Sequence, residues 1–337
     1  MAGTLPRGRF APSPTGPMHV GGARTALAAW LSVRSRNGVL VWRVEDLDPP
    51  RVVPGMAEAH RRDLAWLGLD WDEGPDLSEG GGPHAPYLQS QRGPLYEAAL
   101  ARLAAAGRLF PCRVSRKDLQ TLATAPHGAL HDMGEIPYPA TLRPPASDIE
   151  PGWLENLLHA GTTEAAVRFQ VEEKTVVFQD RIQGEIAERV DRSVGDFVLR
   201  RRDGLWAYQL AVVVDDLAMG IDDVVRGADL LASTARQIQL IEALGGTVPA
   251  YAHVPLLVNA RGEKLSKRDA GLAVATLRDA GIAPERVVGY LAFSLGLLAE
   301  PAACRPQDLL PLFTWTRIGK EAWILPEDLT AALRRMT

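Results

Sequence analysis

The sequence predicts an α/β fold built on a parallel sheet. Two observations carry this prediction: short β-rich runs alternate with helical patterns through the first third of the chain, and 46% of the 337 residues are hydrophobic. Strands that alternate with helices form parallel sheets with right-handed crossovers. A chain of this length can bury a sizeable core, with room for more than one unit.

The first elements follow in chain order from the apolar periodicity. Gly8–Ala11 is a short strand, and the next helix covers about His19–Arg34. The alternation continues with a β-rich run and two further helices, at Val39–Val44, Met56–Leu67 and Pro94–Ala106. A later helix begins near Ser233 or Thr234 and ends at Gly245, because hydroxyl residues favour helix starts and glycine favours helix ends.

The alternation breaks in the middle of the chain. Short β-like pieces between turn-rich stretches, at Ala166–Val171 and Thr175–Gln179, predict an inserted α+β module. The sheet is expected to resume with Phe197–Arg200 and the apolar run Leu210–Val214, and beyond about Ala270 the pattern is helical. We therefore expect four segments. The first half of the core covers residues 1–106, and the inserted module covers 107–191. The second half of the core covers 192–260, and a basic loop with a helical C-terminal region covers 261–337.

The composition excludes several classes of protein. The sequence has no apolar run of transmembrane length and no apolar signal segment, so we expect a cytoplasmic protein with no membrane contact. The two cysteines, Cys112 and Cys304, are far apart, which argues against a disulfide framework. A formal net charge of −4 argues against a protein that coats nucleic acid through bulk charge, although a local basic face can still bind RNA.

The most informative segment is the loop Pro12–Pro17 and the start of the helix after it, where His19, Gly21 and Gly22 stand. Helix N-termini expose unpaired N–H groups and the positive end of the helix dipole, which suit phosphate. Glycine lets a nucleotide approach the backbone without a Cβ in the way, and His19 can donate a hydrogen bond to a phosphate oxygen. Alone, such a pattern is more often explained by helix capping and tight packing.

A second signal is the basic segment Lys264–Arg268, which follows the apolar run Val254–Val258 and a turn. Lys264 and Lys267 on one loop can gather around a triphosphate, where charge-assisted contacts stabilise the charge that develops on a transferring phosphorus. A short basic cluster by itself is more commonly a solvated loop. The two segments gain weight from occurring together and in this order.

Together the two segments resemble the HIGH and KMSKS motifs of class I aminoacyl-tRNA synthetases. Phe10–Leu27 resembles the opening of glutamyl-tRNA synthetases, and Arg43–Arg51 resembles a stretch of their shortened paralogues, the glutamyl-Q tRNA(Asp) synthetases. Tyr87–Arg92 and Val225–Leu230 match the same group. The resemblance implies a Rossmann-type parallel sheet, an inserted acceptor-binding-like module at 107–191 and a short helical C-terminal region.

The resemblance also implies a substrate pocket, and the charges of glutamate agree with it. Two carboxylates and one ammonium call for fixed cations and one carboxylate, and the planar fork of arginine suits bidentate carboxylate binding. Glu45 is expected to hold the α-ammonium and Arg226 the γ-carboxylate. The whole glutamate site is expected to comprise Arg9, Phe10, Ala11, Pro12, Ser13, Glu45, Tyr208 and Arg226. ATP binding is assigned to His19, Gly21, Gly22 and Lys267, and catalysis to His19, Lys264 and Lys267.

The reaction implied by the resemblance uses ATP and Mg²⁺ to convert L-glutamate to glutamyl-adenylate without tRNA and without a protein nucleophile. The glutamyl group then passes to queuosine at the wobble position of tRNA(Asp), bound through its anticodon arm. Only about seventy residues follow Lys264–Arg268, so we expect no anticodon-binding domain. We also expect a monomer.

Three other functions stay open on the sequence alone. The chain could be a discriminating glutamyl-tRNA synthetase that charges the tRNA 3′ end, a reading that Arg268 favours. It could be a catalytically silent glutamate- or tRNA-binding paralogue, although His19, Lys267 and Arg226 are all present. It could be a small-molecule nucleotidyltransferase with an HxGH-type motif, which the expected glutamate pocket disfavours.

The inserted module departs from the pattern of the family. Glutamyl-Q synthetases often carry a zinc site there, with ligands of the form Cys-x-Cys and Tyr-x-x-x-Cys. Cys112 and Tyr138 occupy matching positions, but Val114 and Leu142 cannot bind zinc, which takes four donors in structural sites. Two nearby histidines could in principle substitute, although such a pair is more often incidental: His127 and His131. We therefore predict no zinc.

Overall fold

The computed structural model describes residues 5–77, 81–115, 117–119, 136–160, 164–265 and 270–336. Its strands are β1 (Arg7–Phe10), β2 (Val39–Trp42), β3 (Leu109–Cys112), β4 (Ala166–Phe169), β5 (Thr175–Asp180), β6 (Gly184–Arg189), β7 (Phe197–Arg200), β8 (Asp223–Gly227), β9 (Ala250–Val254), β10 (Leu257–Val258) and β11 (Trp323–Ile324). Its helices are α1 (Val20–Arg34), α2 (Met56–Trp66), α3 (Gly93–Ala105), α4 (Trp153–His159), α5 (Val190–Ser193), α6 (Tyr208–Ala218), α7 (Thr234–Ala243), α8 (Val274–Asp279), α9 (Pro284–Ser294) and α10 (Leu329–Arg334).

A six-stranded sheet forms the centre of the structure, in the order β2-β1-β8-β9-β5-β6. Neighbouring strands run parallel, except for the antiparallel pair β5–β6 at one edge. A three-stranded antiparallel sheet, β3-β4-β7, and a short parallel pair, β10–β11, account for the other strands in the described ranges. The predicted α/β class with a mainly parallel sheet is confirmed.

Successive residues of the central strands contribute to two different hydrophobic clusters. In β8, Val224 belongs to the cluster with the apolar faces of α3, α6 and α7, whereas Val225 belongs to the cluster with α1 and α9. In β9, Tyr251 belongs to the same cluster as Val224, and Ala252 belongs to the same cluster as Val225. Because side chains alternate across a strand, the clusters lie on the two faces of the sheet, and helices cover both. Among the described helices, none is long and apolar enough to cross a membrane.

The first elements lie where the periodicity predicts them, with bounds that differ by one or two residues. The turn after α1 shows why the helix ends there. Asn37 has a φ of 55°, in the left-handed region, and at Gly38 a Cβ would come within 2.3 Å of the Pro6 carbonyl oxygen. The next N–H, of Val39, donates to that same oxygen at 2.9 Å. The tight turn therefore sets β2 directly beside β1.

The later part of the chain contains the predicted strands Phe197–Arg200 and Thr175–Gln179, but the predicted sheet assignments there are wrong. Leu210–Val214 lies in α6, and this helix is buried on most sides, so its continuous apolar run carries no helical period. Phe197–Arg200 is a strand, but it pairs with β4 in the three-stranded sheet. Thr175–Gln179 lies in β5 and joins the central sheet through β9. Beyond Ala270, β11 interrupts the helical region by pairing with β10. The division of the chain into four segments remains a prediction.

Helix α6 carries a carboxylate into the protein interior. Asp215 is fully buried, and its oxygens accept hydrogen bonds from Arg92 Nε at 2.6 Å, Gln89 Nε2 at 2.8 Å and the Tyr96 hydroxyl at 2.9 Å. Arg92, itself buried, also donates to the Pro86 carbonyl oxygen at 2.6 Å. Asp215 therefore attaches the chain before α3, and α3 itself, to the helix that lies beneath the site described below.

Replacing Asp215 with asparagine keeps the shape of the side chain but leaves the buried guanidinium of Arg92 without its counter-charge. We expect Asp215→Asn to lower the free energy of unfolding by about 3–5 kcal/mol, the usual cost of removing one partner from a buried ion pair. Urea denaturation followed by circular dichroism measures the change. Asp203→Asn is the control, because its pair with Arg201 has side chains 45% and 51% exposed and contributes little. Equal losses in the two variants would contradict the anchoring role of Asp215.

Candidate active site

The N-terminus of α1 holds the first motif. His19 is the N-cap residue, and its Nδ1 accepts a hydrogen bond from the backbone N–H of Gly22 at 3.2 Å. A neutral imidazole that accepts at Nδ1 carries its proton on Nε2, the nitrogen that can donate toward a phosphate. A Cβ on Gly21 would lie 3.0 Å from His19 Nδ1, so glycine lets the ring lie against the helix. Helix capping and phosphate binding are therefore compatible functions of His19.

The second motif is attached beside the first. Leu265 Cδ1 lies 3.7 Å from the position that a Cβ of Gly21 would occupy. Where the chain returns from the loop, the N–H of Val274 donates to the Met18 carbonyl oxygen at 2.9 Å. Leu265, before residues 266–269, and Val274, after them, thus both lie next to the N-terminus of α1. A chain that passes the helix end on both sides of the basic segment is consistent with a contact to a phosphate group bound there.

Of the two lysines in the basic segment, the structure describes Lys264 but not Lys267. Lys264 forms an ion pair with Asp229, and its side chain is 61% exposed. Exposed pairs of this kind are weak, so a ligand phosphate can compete for the ammonium group. Lys267, the other expected catalytic lysine, lies outside the described residues, within 266–269. Its catalytic function stays a prediction.

The loop after β1 and the chain after β2 lie side by side at the carboxyl ends of parallel strands. The N–H of Arg43 donates to the Phe10 carbonyl oxygen at 3.1 Å, and the N–H of Glu45 donates to the Pro12 carbonyl oxygen at 3.2 Å. Residues 10–13, which include Ala11 and Ser13, therefore run directly beside Glu45. Open α/β sheets bind their ligands at this edge.

Asp216 follows Asp215 in α6 and forms ion pairs with two arginines beneath this edge of the sheet. Its carboxylate accepts from Arg43 Nη1 at 2.7 Å and from Arg9 Nε at 3.2 Å, and Arg43 Nη2 donates to Glu45 Oε1 at 3.2 Å. Burial alone would raise the pKa of Asp216, but the charges of Arg9 and Arg43 outweigh it and hold the pKa below the ordinary value of 3.8. Asp216 is therefore a fixed anion, and the charge of Arg9 is largely compensated within the protein.

Glu45 lies at the boundary between this buried network and open space. Burial raises its pKa above the ordinary value of 4.5, against the opposing effect of the Arg43 and Arg9 charges. Burial also raises the pKa of the Tyr208 phenol, and the negative charge of Glu45 adds to that effect. A cation placed beside Glu45 would favour the ionised form of its carboxylate and oppose the effect of burial. The position therefore suits an ammonium group.

Arg226 is buried in β8 among neutral hydrogen-bond acceptors. Its Nε donates to His253 Nε2 at 2.9 Å, Nη1 donates to Gln237 Oε1 at 2.8 Å, and Nη2 donates to Thr234 Oγ1 at 2.9 Å. In the described part of the chain, no carboxylate forms an ion pair with Arg226. A guanidinium has five N–H donors, so this one keeps donors and a positive charge for an anion.

The orientation of Arg226 depends on a histidine and an aspartate behind it. His253 Nδ1 lies 2.6 Å from Asp180 Oδ2, and both side chains are fully buried. Burial lowers the pKa of His253, and the charge of Arg226 adds to this, although the hydrogen bond with Asp180 opposes it. The neutral ring then donates from Nδ1 to Asp180 and accepts at Nε2 from Arg226. This tautomer matches both hydrogen bonds.

A cleft of about 1210 Å³ runs from this edge of the central sheet to the three-stranded sheet. Ser13, Glu45 and Tyr208 line one end, and Tyr138 and Arg168 line the other. Its other lining side chains include one indole, several arginines and two glutamines, namely Trp206, Arg51, Arg201, Arg202, Arg236, Gln89 and Gln209. The cleft therefore extends well beyond the space around Glu45.

The residues that hold the site together were missed in the sequence analysis: Arg43, Asp180, Asp216, Thr234, Gln237 and His253. One signal was present, because Asp215 and Asp216 close an apolar run, and acidic residues are rarely buried without partners. The partners themselves could not be found locally. The bond from Asp216 to Arg9 spans 207 positions, and the bond from Asp215 to Arg92 spans 123.

The donors around Cys112 do not form a metal site in the described ranges. No group of three or more histidine, cysteine, aspartate or glutamate side chains is placed there to hold a metal ion. Cys112 Sγ is 3.6 Å from the Tyr138 hydroxyl, which donates to the Leu142 carbonyl oxygen at 2.8 Å. His127 and His131 lie outside the described residues. The absence of zinc stays a prediction.

Known proteins show the same fold and closely related sequences. A family model described as "tRNA synthetases class I (E and Q), catalytic domain" matches residues 7–325. The chain is similar to a protein named glutamyl-Q tRNA(Asp) synthetase from Symbiobacterium thermophilum, with 47% identity over 327 residues, 97% of this chain and 98% of the relative. A protein of the same name from Nitratidesulfovibrio vulgaris is 43% identical over 331 residues, 98% of this chain and 99% of the relative. The resemblance predicted from the sequence is confirmed.

Solved structures agree with the sequence comparison. The crystal structure of a glutamate tRNA ligase from Elizabethkingia meningosepticum in complex with its amino acid is similar to this chain, with a TM-score of 0.82 and 28% identity. The similar region covers 98% of this chain and 68% of that ligase. A glutamate-tRNA synthetase from Elizabethkingia anophelis has a TM-score of 0.81 over 97% of this chain.

The raised pKa of Glu45 predicts a specific dependence of stability on pH. Between the ordinary value of 4.5 and its raised value, the folded protein binds more protons at Glu45 than the unfolded chain does. The contribution of Glu45 is therefore fully present below that window and is lost as the pH rises through it. We expect Glu45→Gln to show a smaller loss of unfolding free energy over the same rise in pH, measured by urea denaturation. Glu300→Gln, far along the chain, is the control; parallel pH curves for wild type and Glu45→Gln would refute the assignment.

Proposed function

Because the chain belongs to the class I tRNA synthetases, in the E and Q catalytic-domain family, we propose that it activates L-glutamate with ATP and transfers the glutamyl group to queuosine in tRNA(Asp). The chain is a ligase of a family that uses ATP. The acceptor in this proposal follows the names of relatives that align over nearly their full length. The substrate assignments rest on the charges of the site.

The observation that carries the glutamate assignment is the neutral surrounding of Arg226. A buried guanidinium without a carboxylate partner is unfavourable, and a carboxylate supplied by a ligand removes that cost. The remaining N–H donors of Arg226 can bind both oxygens of one carboxylate in its plane. The γ-carboxylate of glutamate provides this charge, whereas the neutral amide of glutamine does not.

The α-amino end of glutamate fits the environment of Glu45. The α-ammonium favours the ionised form of Glu45 and gains a charge-assisted hydrogen bond from it. Arg9 is already compensated by Asp216 through a contact of 3.2 Å, so it adds orientation with little net charge. The α-carboxylate consequently keeps its charge available for attack on phosphorus. Tyr208 closes this end of the cleft.

Activation of glutamate occurs where the proposed glutamate site meets the N-terminus of α1. An α-carboxylate oxygen attacks the α-phosphorus of ATP, the bond from that phosphorus to the bridging oxygen breaks, and pyrophosphate leaves with the electron pair. His19 Nε2–H, the positive end of the α1 dipole, and the ammonium groups of Lys264 and Lys267 stabilise the phosphate charge, and Gly21 and Gly22 let the nucleotide approach the backbone. Mg²⁺ enters with ATP as the counter-ion of its phosphates.

The cleft beyond Glu45 and Tyr208 is suited to the acceptor. A base from a single-stranded RNA loop can stack on Trp206, while Arg51 and Arg202 contact backbone phosphates. A hydroxyl of the queuosine cyclopentenediol then attacks the carbonyl carbon of glutamyl-adenylate. The bond from that carbon to the phosphate oxygen breaks, AMP leaves, and the hydroxyl proton passes to solvent or to the AMP phosphate.

The proposal extends to how the enzyme meets its RNA. The bound part of tRNA(Asp) is the anticodon arm, which carries the wobble base, and the enzyme acts as a monomer in the cytoplasm. The net charge of −4 requires that RNA binding come from local arginines such as Arg51 and Arg202 rather than from the whole surface. The other candidate acceptor is the 3′-terminal ribose of a tRNA, as in glutamyl-tRNA synthetases.

Arg226→Lys keeps the charge but loses the planar fork. We expect the Michaelis constant for glutamate to rise by about tenfold or more, because one bidentate carboxylate contact is lost. ATP–pyrophosphate exchange without tRNA measures it, with glutamine and aspartate as comparison substrates. Arg102→Lys is the matched control, since its guanidinium donates to the Leu244 carbonyl oxygen far from the cleft. An unchanged constant in Arg226→Lys would remove Arg226 from the substrate site.

The position of the transferred glutamate tests the acceptor. We expect labelled glutamate to attach to tRNA(Asp) that contains queuosine and not to the same tRNA with guanosine at the wobble position. Nuclease digestion after the reaction should locate the label in the anticodon loop. Periodate oxidation alone cannot decide, because the cyclopentenediol and the terminal ribose are both cis-diols. Label on the 3′-terminal nucleotide, or on tRNA(Glu), would favour the glutamyl-tRNA synthetase function.

A further inference from the structure

The far wall of the cleft contains a buried arginine whose contacts are unusual. Arg168 Nε donates to the sulfur of Cys112 at 3.3 Å, and Nη1 donates to the carbonyl oxygen of Asp196 at 2.6 Å. The guanidinium carbon also lies 4.1 Å from the centre of the Tyr138 ring. One guanidinium therefore contacts three segments that are distant in the sequence: the end of β3, the chain around residue 138, and the chain that leads into β7.

These segments are packed closely around the guanidinium. Cys112 and Tyr138 are each 2% exposed, and Arg168 is 9% exposed. A Cβ on Gly195 would come within 2.0 Å of the Tyr138 carbonyl oxygen, so the segments around residues 138 and 195 are in backbone contact. The carboxylate of Asp196 is not the partner of Arg168, because it accepts from Arg143 at 2.7 and 2.8 Å. The charge of Arg168 is instead met by sulfur, a carbonyl oxygen and a π face.

Zinc does not fit this donor set. The family pattern given above takes a cysteine at the end of β3, a second cysteine two residues later, and a tyrosine and a cysteine further along the chain; here Val114 and Leu142 supply no donor side chain. The Tyr138 hydroxyl donates to the Leu142 carbonyl oxygen, so its proton is in use. The guanidinium already lies at hydrogen-bond distance from the sulfur of Cys112. A metal cation bound to that sulfur would have to displace a buried positive charge.

We propose that Arg168 performs the structural function of a metal ion in this module. Its guanidinium cross-links the end of β3, the Tyr138 segment and the entry to β7. The module therefore folds, and keeps this wall of the cleft in position, without a metal.

The chemistry of arginine explains why this residue can make the cross-link. A structural metal connects remote segments because it binds several donors in fixed directions. Guanidinium also has fixed directions, since its N–H groups lie in one plane while both of its faces remain open to an aromatic ring. Lysine retains the charge but cannot donate along two planar directions and stack at the same time. Arg168→Lys therefore separates charge from geometry.

The proposal is tested by metal content and thermal stability. Full-length wild-type protein, purified in buffer containing zinc and then dialysed, should hold far less than one zinc per chain by plasma emission spectrometry. Its melting temperature should be the same with and without a strong chelator. We expect Arg168→Lys to lower the melting temperature by about 5 °C or more. Arg108→Lys is the matched control, because Arg108 stacks on Phe169 of the same sheet but is partly exposed.

Each outcome decides the proposal. One zinc per chain in wild type that is lost in Cys112→Ser, or a melting temperature that falls with chelator, would overturn it even if Arg168→Lys failed to fold. A loss in Arg168→Lys no larger than in Arg108→Lys would also overturn it. A variant that restores the family pattern, Val114→Cys and Leu142→Cys with Arg168→Ala, should bind zinc and become sensitive to chelator. Failure of that variant to bind zinc would contradict the view that Arg168 replaces the metal.

Discussion

The two consecutive carboxylates of α6 are the constraint on which the rest of the site depends. Asp215 and Asp216 point from one buried helix in different directions, because successive residues of a helix are about 100° apart. Asp215 holds Arg92 and the chain before α3, and Asp216 holds Arg9 and Arg43. Buried ion pairs add little net stability, but removing one partner is costly. The pairs therefore act mainly by specifying how β1, β2 and α3 are arranged around α6.

The site contains arginines whose charge is compensated by carboxylates and one arginine, Arg226, with no carboxylate partner among the described residues. Arg43 is fully buried between Asp216 and Glu45, and its pKa is raised because the carboxylate charges outweigh its desolvation. Arg226 lies in the same region but bonds only neutral groups among the described residues. The first arrangement is complete without a ligand, whereas the second leaves the charge of Arg226 without a carboxylate partner among the described residues. The proposed carboxylate contact of Arg226 would therefore use a preformed cation, which costs little rearrangement on binding.

The module around β3, β4 and β7 applies the same physical principle without a carboxylate. Arg168 is surrounded by soft and neutral groups, the Cys112 sulfur, the Asp196 carbonyl and the Tyr138 ring, which stabilise a cation through hydrogen bonds and quadrupole attraction. Because Tyr138 and Arg168 also line the cleft, the cross-link shapes the wall that an acceptor would contact. In the proposed cross-link, one side chain in β4 therefore joins the segments that form that wall.

The sequence alone determined the elements whose signals are local. The period of α1, the glycines at its start and the basic loop are all read from neighbouring residues, and the family resemblance followed from them. Only the tertiary structure decided that the run after Tyr208 is a helix, that β5 joins the central sheet, and which residues pair with Arg9, Arg43 and Arg226. Periodicity reports which face of an element is buried, but it is lost when an element is buried on most sides. Strand partners and ion pairs join residues far apart in sequence, so they are set by how the elements pack.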